Sequence, residues 1–159
     1  MQTQTIRQYY GEDHQRLDEL FHRFQELKKT DAREASQIFS EFKAGLERHI
    51  IWEEEILFAW LDAKIGHPPD GWTALLRWEH RHLRRYLARV EQHLAQQNAD
   101  AELERIAFLA LLGAHNRKEE RILYPRIDQI VSDEERSGIF SKMQSTHSCA
   151  HAVCGFELR

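Results

Sequence analysis

Apolar residues recur at steps of three and four positions along most of the chain, which is the spacing of an amphipathic helix. Four such stripes follow one another. They consist of Ile6, Tyr10, Leu17, Leu20, Phe21, Phe24 and Leu27; of Phe39, Phe42, Leu46, Ile56 and Trp60; of Trp72, Leu76, Leu83, Leu87, Val90 and Leu94; and of Phe108, Leu111, Leu112, Ile122 and Ile127. Because no segment shows the alternation typical of a strand, the pattern predicts an all-α fold.

Turn-forming segments separate the stripes at residues 28–31, 66–71 and 98–100. Asp31 stands where it can cap the second helix, and Pro125 where it would close or bend the end of the fourth. Long amphipathic helices with short connections favour an antiparallel up-and-down four-helix bundle.

A short additional C-terminal helix or tail is expected after this bundle. Ser132 is placed to cap that helix, and Glu135 follows three residues later to complete a capping box. We therefore divide the chain into a four-helix bundle over residues 1–131 and a C-terminal helix and Cys/His-containing tail over residues 132–159.

Six polar residues interrupt the apolar stripes at positions that should face the core. They are His14, His49, Glu53, His80, His115 and Glu119. If neighbouring helices alternate in direction, these residues lie near one level of the bundle. Buried carboxylates are costly without compensating charge, and no lysine or arginine occupies the inward stripes near them.

An internal repeat relates the two halves of the chain. His14 and His49 are 35 residues apart, as are His80 and His115, and each second histidine precedes a glutamate by four residues. Superimposing the two histidine pairs also aligns apolar positions: Leu17 with Leu83, Phe42 with Phe108 and Leu46 with Leu112. Two similar hairpins would therefore contribute equivalent groups, and this pseudo-twofold symmetry suits a pair of metal ions.

Metal ions would supply the missing positive charge, because neutral imidazoles and carboxylates are both metal ligands. Residues four apart project from the same face of a helix. Four histidines and two glutamates could thus give each of two ions two nitrogens, with the carboxylates bridging. Mixed nitrogen and oxygen ligands suit iron, manganese or zinc better than calcium.

Composition narrows the function classes. The 159 residues carry a formal net charge of −4, which excludes the broad basic field of a nucleic-acid binder. No apolar stretch reaches the ~20 residues that span a bilayer, so no membrane partner is expected. The N-terminus lacks the layout of a signal peptide. Since Cys149 and Cys154 lie too close together to staple the domain, a reducing cytoplasm is the expected location.

The C-terminal tail leaves its role open. His147, Cys149, His151 and Cys154 could bind a second metal, although their spacing is not a standard zinc-finger frame. They could also form a redox-sensing dithiol, or belong to a mobile tail with incidental cysteines. Four other histidines are expected at the surface or in turns: His22, His67, His82 and His93.

Four motifs resemble the hemerythrin-like, or HHE cation-binding, domain family over about residues 5–130. They are Asp13-His14, the segment from His49 through Glu53-Glu54-Glu55 to Phe58, Glu79-His80, and the segment from His115 through Glu119-Glu120 to Pro125. The resemblance implies a four-helix bundle around a non-haem di-iron centre with carboxylate and oxo- or hydroxo-type bridges. In it, His14, His49, His80 and His115 match the histidine ligands, and Glu53 and Glu119 match the bridging carboxylates.

One position departs from the oxygen-carrying members of that family, which have a further histidine one turn from the third-helix ligand. Here the flanking positions are Leu76 and Arg84, and His82 should point away from His80. The resemblance then implies a four-histidine site with more open coordination. Reaction with oxygen, peroxide or nitric oxide, for sensing, protection or iron handling, becomes at least as plausible as reversible oxygen carriage.

We therefore expect a protein with two iron ions whose partner is a small diatomic ligand or peroxide. Manganese or zinc are the alternative metals. Alternative functions are a di-iron oxidoreductase, either peroxidase-like or a nitric oxide reductase, a metal-storage or delivery protein, and a helical bundle without metal. The sequence assigns no catalytic residue and leaves the oligomeric state open.

Overall fold

The computed structural model describes residues 4–66, 71–96 and 101–152, which contain helices and no strand. The α-helices are α1 (Ile6–Leu27), α2 (Ala32–Ile51), α3 (Phe58–Ile65), α4 (Trp72–Gln96), α5 (Ala101–Lys118), α6 (Tyr124–Ile130) and α7 (Asp133–Ala152). Two π-helical segments, Trp52–Leu57 and Glu119–Leu123, join α2 to α3 and α5 to α6. The predicted all-α helical bundle is confirmed, while the antiparallel up-and-down order of its helices stays a prediction.

The ends of the helices follow the local signals in the sequence. Asp31 accepts hydrogen bonds from the backbone of Arg33 and Glu34 at 3.1 and 2.9 Å, as expected of the cap of α2. Ser132 and Glu135 form the predicted capping box of α7, with reciprocal bonds of 2.9 and 3.1 Å. Of the other two predicted breaks, residues 67–70 of the first and the whole of the second, at 98–100, lie outside the described ranges.

Two buried apolar clusters fill the bundle, one on each side of the polar residues. On α1, Tyr10 belongs to the first cluster and Leu17 to the second, and His14 lies between them. On α4, Leu76 and Leu83 flank His80 in the same way. The polar residues therefore form one level within an apolar core, as their positions in the stripes predicted.

The π segments change which side chains face this core. The backbone N–H of Phe58 donates to the carbonyl of Glu53, and that of Tyr124 to the carbonyl of Glu119, each five residues back. A π turn holds more residues than an α turn. After the π segment, the residues that face the core are therefore shifted by one position along the sequence. The prediction that Ile122 faces the core is wrong for this reason: Ile122 is 40% exposed, and its neighbour at position 123 is buried instead.

Helix α7 packs against the first apolar cluster through Ile139 and Met143, which are buried. The indole N–H of Trp52 donates to the hydroxyl of Thr146 at 2.9 Å. The division of the chain at residues 131 and 132 stays a prediction. The side chains of His147, Cys149 and His151 and the whole of Cys154 lie outside what the structure describes.

No helix in the described ranges is both long and apolar enough to cross a membrane.

A carboxylate from α6 holds the start of α1. Asp128 accepts hydrogen bonds from the backbone N–H groups of Ile6 and Arg7 at 2.8 and 3.1 Å. The first N–H groups of a helix have no partner within it, so Asp128 satisfies two of them and ties the first helix to the last part of the bundle.

Substitution of Asp128 by alanine should lower the free energy of unfolding by about 1–2 kcal/mol, because two helix N–H groups lose a charged acceptor. Urea denaturation followed by circular dichroism measures the change. Gln129→Ala, at the exposed neighbouring position, is the control and should stay within about 0.5 kcal/mol of the parent. Equal stability of the two variants would contradict the capping role.

Candidate metal centre

The six residues singled out in the sequence lie together between the two apolar clusters. Each has a side chain that is at most 3% exposed. The Nε2 atoms of His14 and His49 are 3.0 Å apart, and those of His80 and His115 are also 3.0 Å apart. The repeat thus brings one pair of imidazoles from each half of the chain to the centre of the bundle.

The two glutamates lie between these histidine pairs. Oε2 of Glu53 is 3.6 Å from Nε2 of His49 and 3.1 Å from Nε2 of His80. Oε1 of Glu119 is 3.0 Å from Nε2 of His115, and its Oε2 is 3.5 Å from Nε2 of His14. Each carboxylate therefore faces one histidine of each pair.

Two groups of potential ligand atoms result, each with its atoms within 4.8 Å of one another. The first group comprises Glu53, His80, His115 and Glu119, and the second comprises His14, His49 and Glu119. Glu119 belongs to both. The donor set thus has the composition and spacing for two cations that share a carboxylate.

A second layer of carboxylates contacts Nδ1, the other ring nitrogen, of each of these four histidines. The Nδ1–oxygen pairs are His14–Glu120 at 2.7 Å, and His49–Asp13, His80–Glu54 and His115–Glu79 at 2.9 Å. An ionised carboxylate only accepts hydrogen bonds, so each Nδ1 carries the proton and donates. Each Nε2 then points toward the centre, and its lone pair, once free of a proton, has the orientation a metal ligand needs.

These outer carboxylates are ionised. Burial raises the pKa of Asp13, but its hydrogen bonds and charge interactions with His49 and Arg16 outweigh burial and bring the pKa to about 2. Burial likewise raises the pKa of Glu54, and its contacts with His80 and Arg84 lower it overall.

The four outer acids stand in the sequence motifs, but sequence reasoning gave them no role. In the sequence, Asp13 and Glu54 stand next to candidate metal ligands, and acids at such positions resemble ordinary solvated charges. The internal repeat was the available signal, because the alignment that pairs His14 with His80 also pairs Asp13 with Glu79 and Glu54 with Glu120, so that an acid recurs at both positions.

Basic residues at the rim neutralise three of the outer carboxylates. Arg16 lies 2.7 Å from Asp13, Arg84 lies 3.3 Å from Glu54, and Lys118 donates to Glu79. Neither residue that flanks His80 on α4 is therefore a free ligand: Arg84 is held by acids, and Leu76 is buried in apolar surroundings.

Glu53 and Glu119, the two inner glutamates between the histidine pairs, have no basic residue as a partner. Among the described residues, every ion pair of Glu53 and Glu119 is with a histidine. Oε2 of Glu53 and Oε1 of Glu119 are buried, and unless a facing histidine Nε2 carries a proton they have no hydrogen-bond donor among the described residues. Buried carboxylate oxygens without a donor are unfavourable, and a cation between them and the Nε2 lone pairs would satisfy all of these atoms.

Without a metal, the same negative charge attracts protons. Burial lowers the pKa of His14, but Glu119 and Glu120 outweigh it and raise the pKa to about 9. Burial also lowers the pKa of His115, and Glu119 and Glu79 raise it to about 10. Protons and metal ions thus compete for one strongly negative site.

One tyrosine that sequence reasoning did not assign to the site completes it. The hydroxyl of Tyr124 donates to Oε1 of Glu53 at 2.6 Å and lies 3.2 Å from Oε2 of Glu119. Burial and the charges of these two glutamates raise the pKa of Tyr124 well above 10. The phenol therefore keeps its proton and holds the two carboxylates in place.

Comparison with known proteins gives one result that bears on this site. A family model described as the hemerythrin HHE cation binding domain matches residues 5–127 and, in a second match, residues 71–155. The two matches begin at positions 5 and 71, which are equivalent in the alignment of the internal repeat. Searches of curated proteins and of solved structures gave no match.

Replacing Glu54 by glutamine should weaken metal binding by roughly 10–100-fold, because His80 loses the charged partner of its Nδ1–H. Competition with a calibrated chelator measures the affinity. Glu55→Gln is a matched control, since Glu55 is the exposed next residue and should bind as the parent does. Equal weakening in both variants would show that net charge, and not the orientation of His80, governs affinity.

Proposed function

The chain belongs to the hemerythrin HHE cation-binding domain family, and we propose that it is a non-haem di-iron protein that binds or senses dioxygen, peroxide or nitric oxide, or handles iron. The observation that carries this proposal is the pair of buried glutamates, each facing one histidine of either pair. The family binds cations, and the buried histidines and glutamates could hold two of them. Both observations point to metal binding.

The proposal gives each residue a place. His14 and His49 would hold one iron ion, His80 and His115 the other, and Glu53 and Glu119 would bridge them. The iron ions, when bound, would supply one-electron redox chemistry and coordination positions for a small ligand. Imidazole and carboxylate ligands suit iron, with manganese or zinc as the alternatives.

The surrounding side chains restrict what can reach the ligands. Leu76 is fully buried at the position one turn before His80. The ring of Phe58 stacks on that of His80, with centroids 5.8 Å apart and planes 7° apart. These apolar groups shield His80 from water, which favours a diatomic molecule or peroxide over a bulky substrate.

A cytoplasmic location is part of the proposal. The two cysteines, Cys149 and Cys154, are too close in sequence to staple a domain of this size, which suits a reducing compartment.

Metal analysis of protein purified without added metal, with spectra before and after anaerobic reduction, tests the proposal. We expect two iron ions per chain and an absorption spectrum of a bridged diferric centre. Protein that holds no metal under these conditions, and takes up none when iron is added, would overturn it.

The double variant Glu53→Gln/Glu119→Gln should lose two-metal loading, because it removes both bridges and their charge. The control is Glu55→Gln/Glu41→Gln, which removes the same charge from exposed positions and should load as the parent does. If the inner double variant bound two iron ions with an unchanged spectrum, the ligand assignment would be wrong.

Two further measurements separate the functions that the same site could serve. Turnover of oxygen, peroxide or nitric oxide with an electron donor would assign a di-iron oxidoreductase. Rapid loss of iron to a chelator would assign storage or delivery. Stable iron with reversible spectral changes on addition of a small ligand would assign binding or sensing.

A further inference from the structure

Three tyrosine rings lie next to one another between the centre of the bundle and its surface. The ring of Tyr124, whose hydroxyl donates to Glu53, lies 5.0 Å from the ring of Tyr10, and Tyr10 lies 6.0 Å from Tyr9. Tyr9 is half-buried and lines a surface cavity of about 210 Å³. A continuous series of phenol rings thus runs from the inner carboxylates to the solvent.

Tyr10 also touches the site directly. Its ring meets that of His49 edge-on, with centroids 5.3 Å apart and planes at 85°. Its hydroxyl lies 3.7 Å from the sulfur of Met143, so the phenol faces an oxidisable thioether on α7. The middle ring therefore contacts both a histidine of the site and the ring that holds the glutamates.

The internal repeat shows that packing alone does not require these phenols. The alignment of the two halves pairs Tyr9 with Leu75, Tyr10 with Leu76, and Tyr124 with Phe58. The inner two positions are fully buried in both halves. Each position therefore holds a tyrosine in one half and an apolar residue that is hard to oxidise in the other: Tyr10 is matched by leucine in the second half, and Tyr124 by phenylalanine in the first.

We propose that Tyr9, Tyr10 and Tyr124 form an electron-transfer relay between the metal centre and a small one-electron reductant at the protein surface. The proposal rests on the proposed function, since the relay needs a metal ion that accepts electrons. It supplies a route for reduction that the buried ligands themselves do not offer.

The transfer balances in electrons and protons. A reductant such as ascorbate loses one electron at the exposed edge of Tyr9, and one ferric ion is reduced to the ferrous state. Tyr9 and Tyr10 couple the reductant to Tyr124 through their rings and keep their protons. Tyr124 likewise couples Tyr10 to the metal centre through its ring and its hydrogen bond to Glu53, so no tyrosine is oxidised and none loses its proton. The proton that ascorbate gives up on oxidation goes to solvent.

The experiment measures how fast ascorbate reduces the iron-loaded, oxidised protein, followed by the loss of the diferric absorption. Tyr10→Leu installs the residue that the other half carries at this position. We expect reduction to slow by about tenfold or more, which corresponds to ~1.4 kcal/mol of activation free energy. Tyr86→Leu is the matched control, because Tyr86 is a partly buried tyrosine packed on the second apolar cluster, and its rate should equal that of the parent.

A second variant and a second readout keep the test decisive if Tyr10→Leu fails to fold. Tyr9→Leu alters the half-buried outer ring and should slow reduction in the same way. After treatment with hydrogen peroxide, mass spectrometry of the iron-loaded parent should find oxidation at Tyr9 and Met143. Tyr10→Leu should lose both modifications, because each residue contacts Tyr10, whereas Tyr9→Leu should keep that of Met143.

The outcomes separate the relay from the proposed function. Parent protein that binds no iron overturns both. Parent protein that binds two iron ions, together with relay variants that load equally and are reduced at the parent rate, overturns the relay alone. Equal slowing in Tyr86→Leu would show a general effect of ring removal and would also overturn it.

Discussion

The rest of the structure depends on two carboxylates that are buried where water cannot reach them. Glu53 and Glu119 are completely inaccessible to solvent, and removing an ionised carboxylate from water costs several kcal/mol unless opposite charge offsets the loss. The basic residues nearest to the site are engaged at its rim by other acids: Arg16 by Asp13, Arg84 by Glu54, and Lys118 by Glu79. Positive charge at the centre must then come from imidazolium groups or from metal ions, and the inward Nε2 lone pairs favour metal ions.

The backbone adapts at the two places where this charge is concentrated. Glu53 is the second residue of one π-helical segment, and Glu119 is the first residue of the other. The next residue in each case is an outer glutamate, Glu54 or Glu120. Glu53 and Glu54 thereby contact opposite nitrogens of the same imidazole, Nε2 and Nδ1 of His80, at 3.1 and 2.9 Å. Glu119 and Glu120 contact His14 in the same manner. Local π geometry is common at functional sites, and here it accompanies two adjacent carboxylates that fix one ring.

The helices, the caps at Asp31 and Ser132, and the buried cluster of histidines and glutamates could be predicted from the sequence, because each leaves a local signal. Asp31 and Ser132 are cap residues followed by amphipathic stripes, and the inner histidines stand out against apolar neighbours. The π segments could not be predicted, because an inserted residue leaves the apolar period almost unchanged: Ile122 and Leu123 are both apolar, and only packing decides which is buried. The outer acids were missed because an acid beside a ligand has the same spacing as a solvated charge.

The outer carboxylates also divide the site between the halves of the chain in a particular way. Asp13 serves a histidine of its own half, His49, whereas Glu120 crosses over to His14 and Glu54 crosses over to His80. Neither hairpin alone can therefore orient both of its imidazoles. Docking of the hairpins and assembly of the site become a single equilibrium, so any cation that binds only the docked form also drives the two hairpins together. In this protein the metal would act as a folding ligand as well as a chemical one.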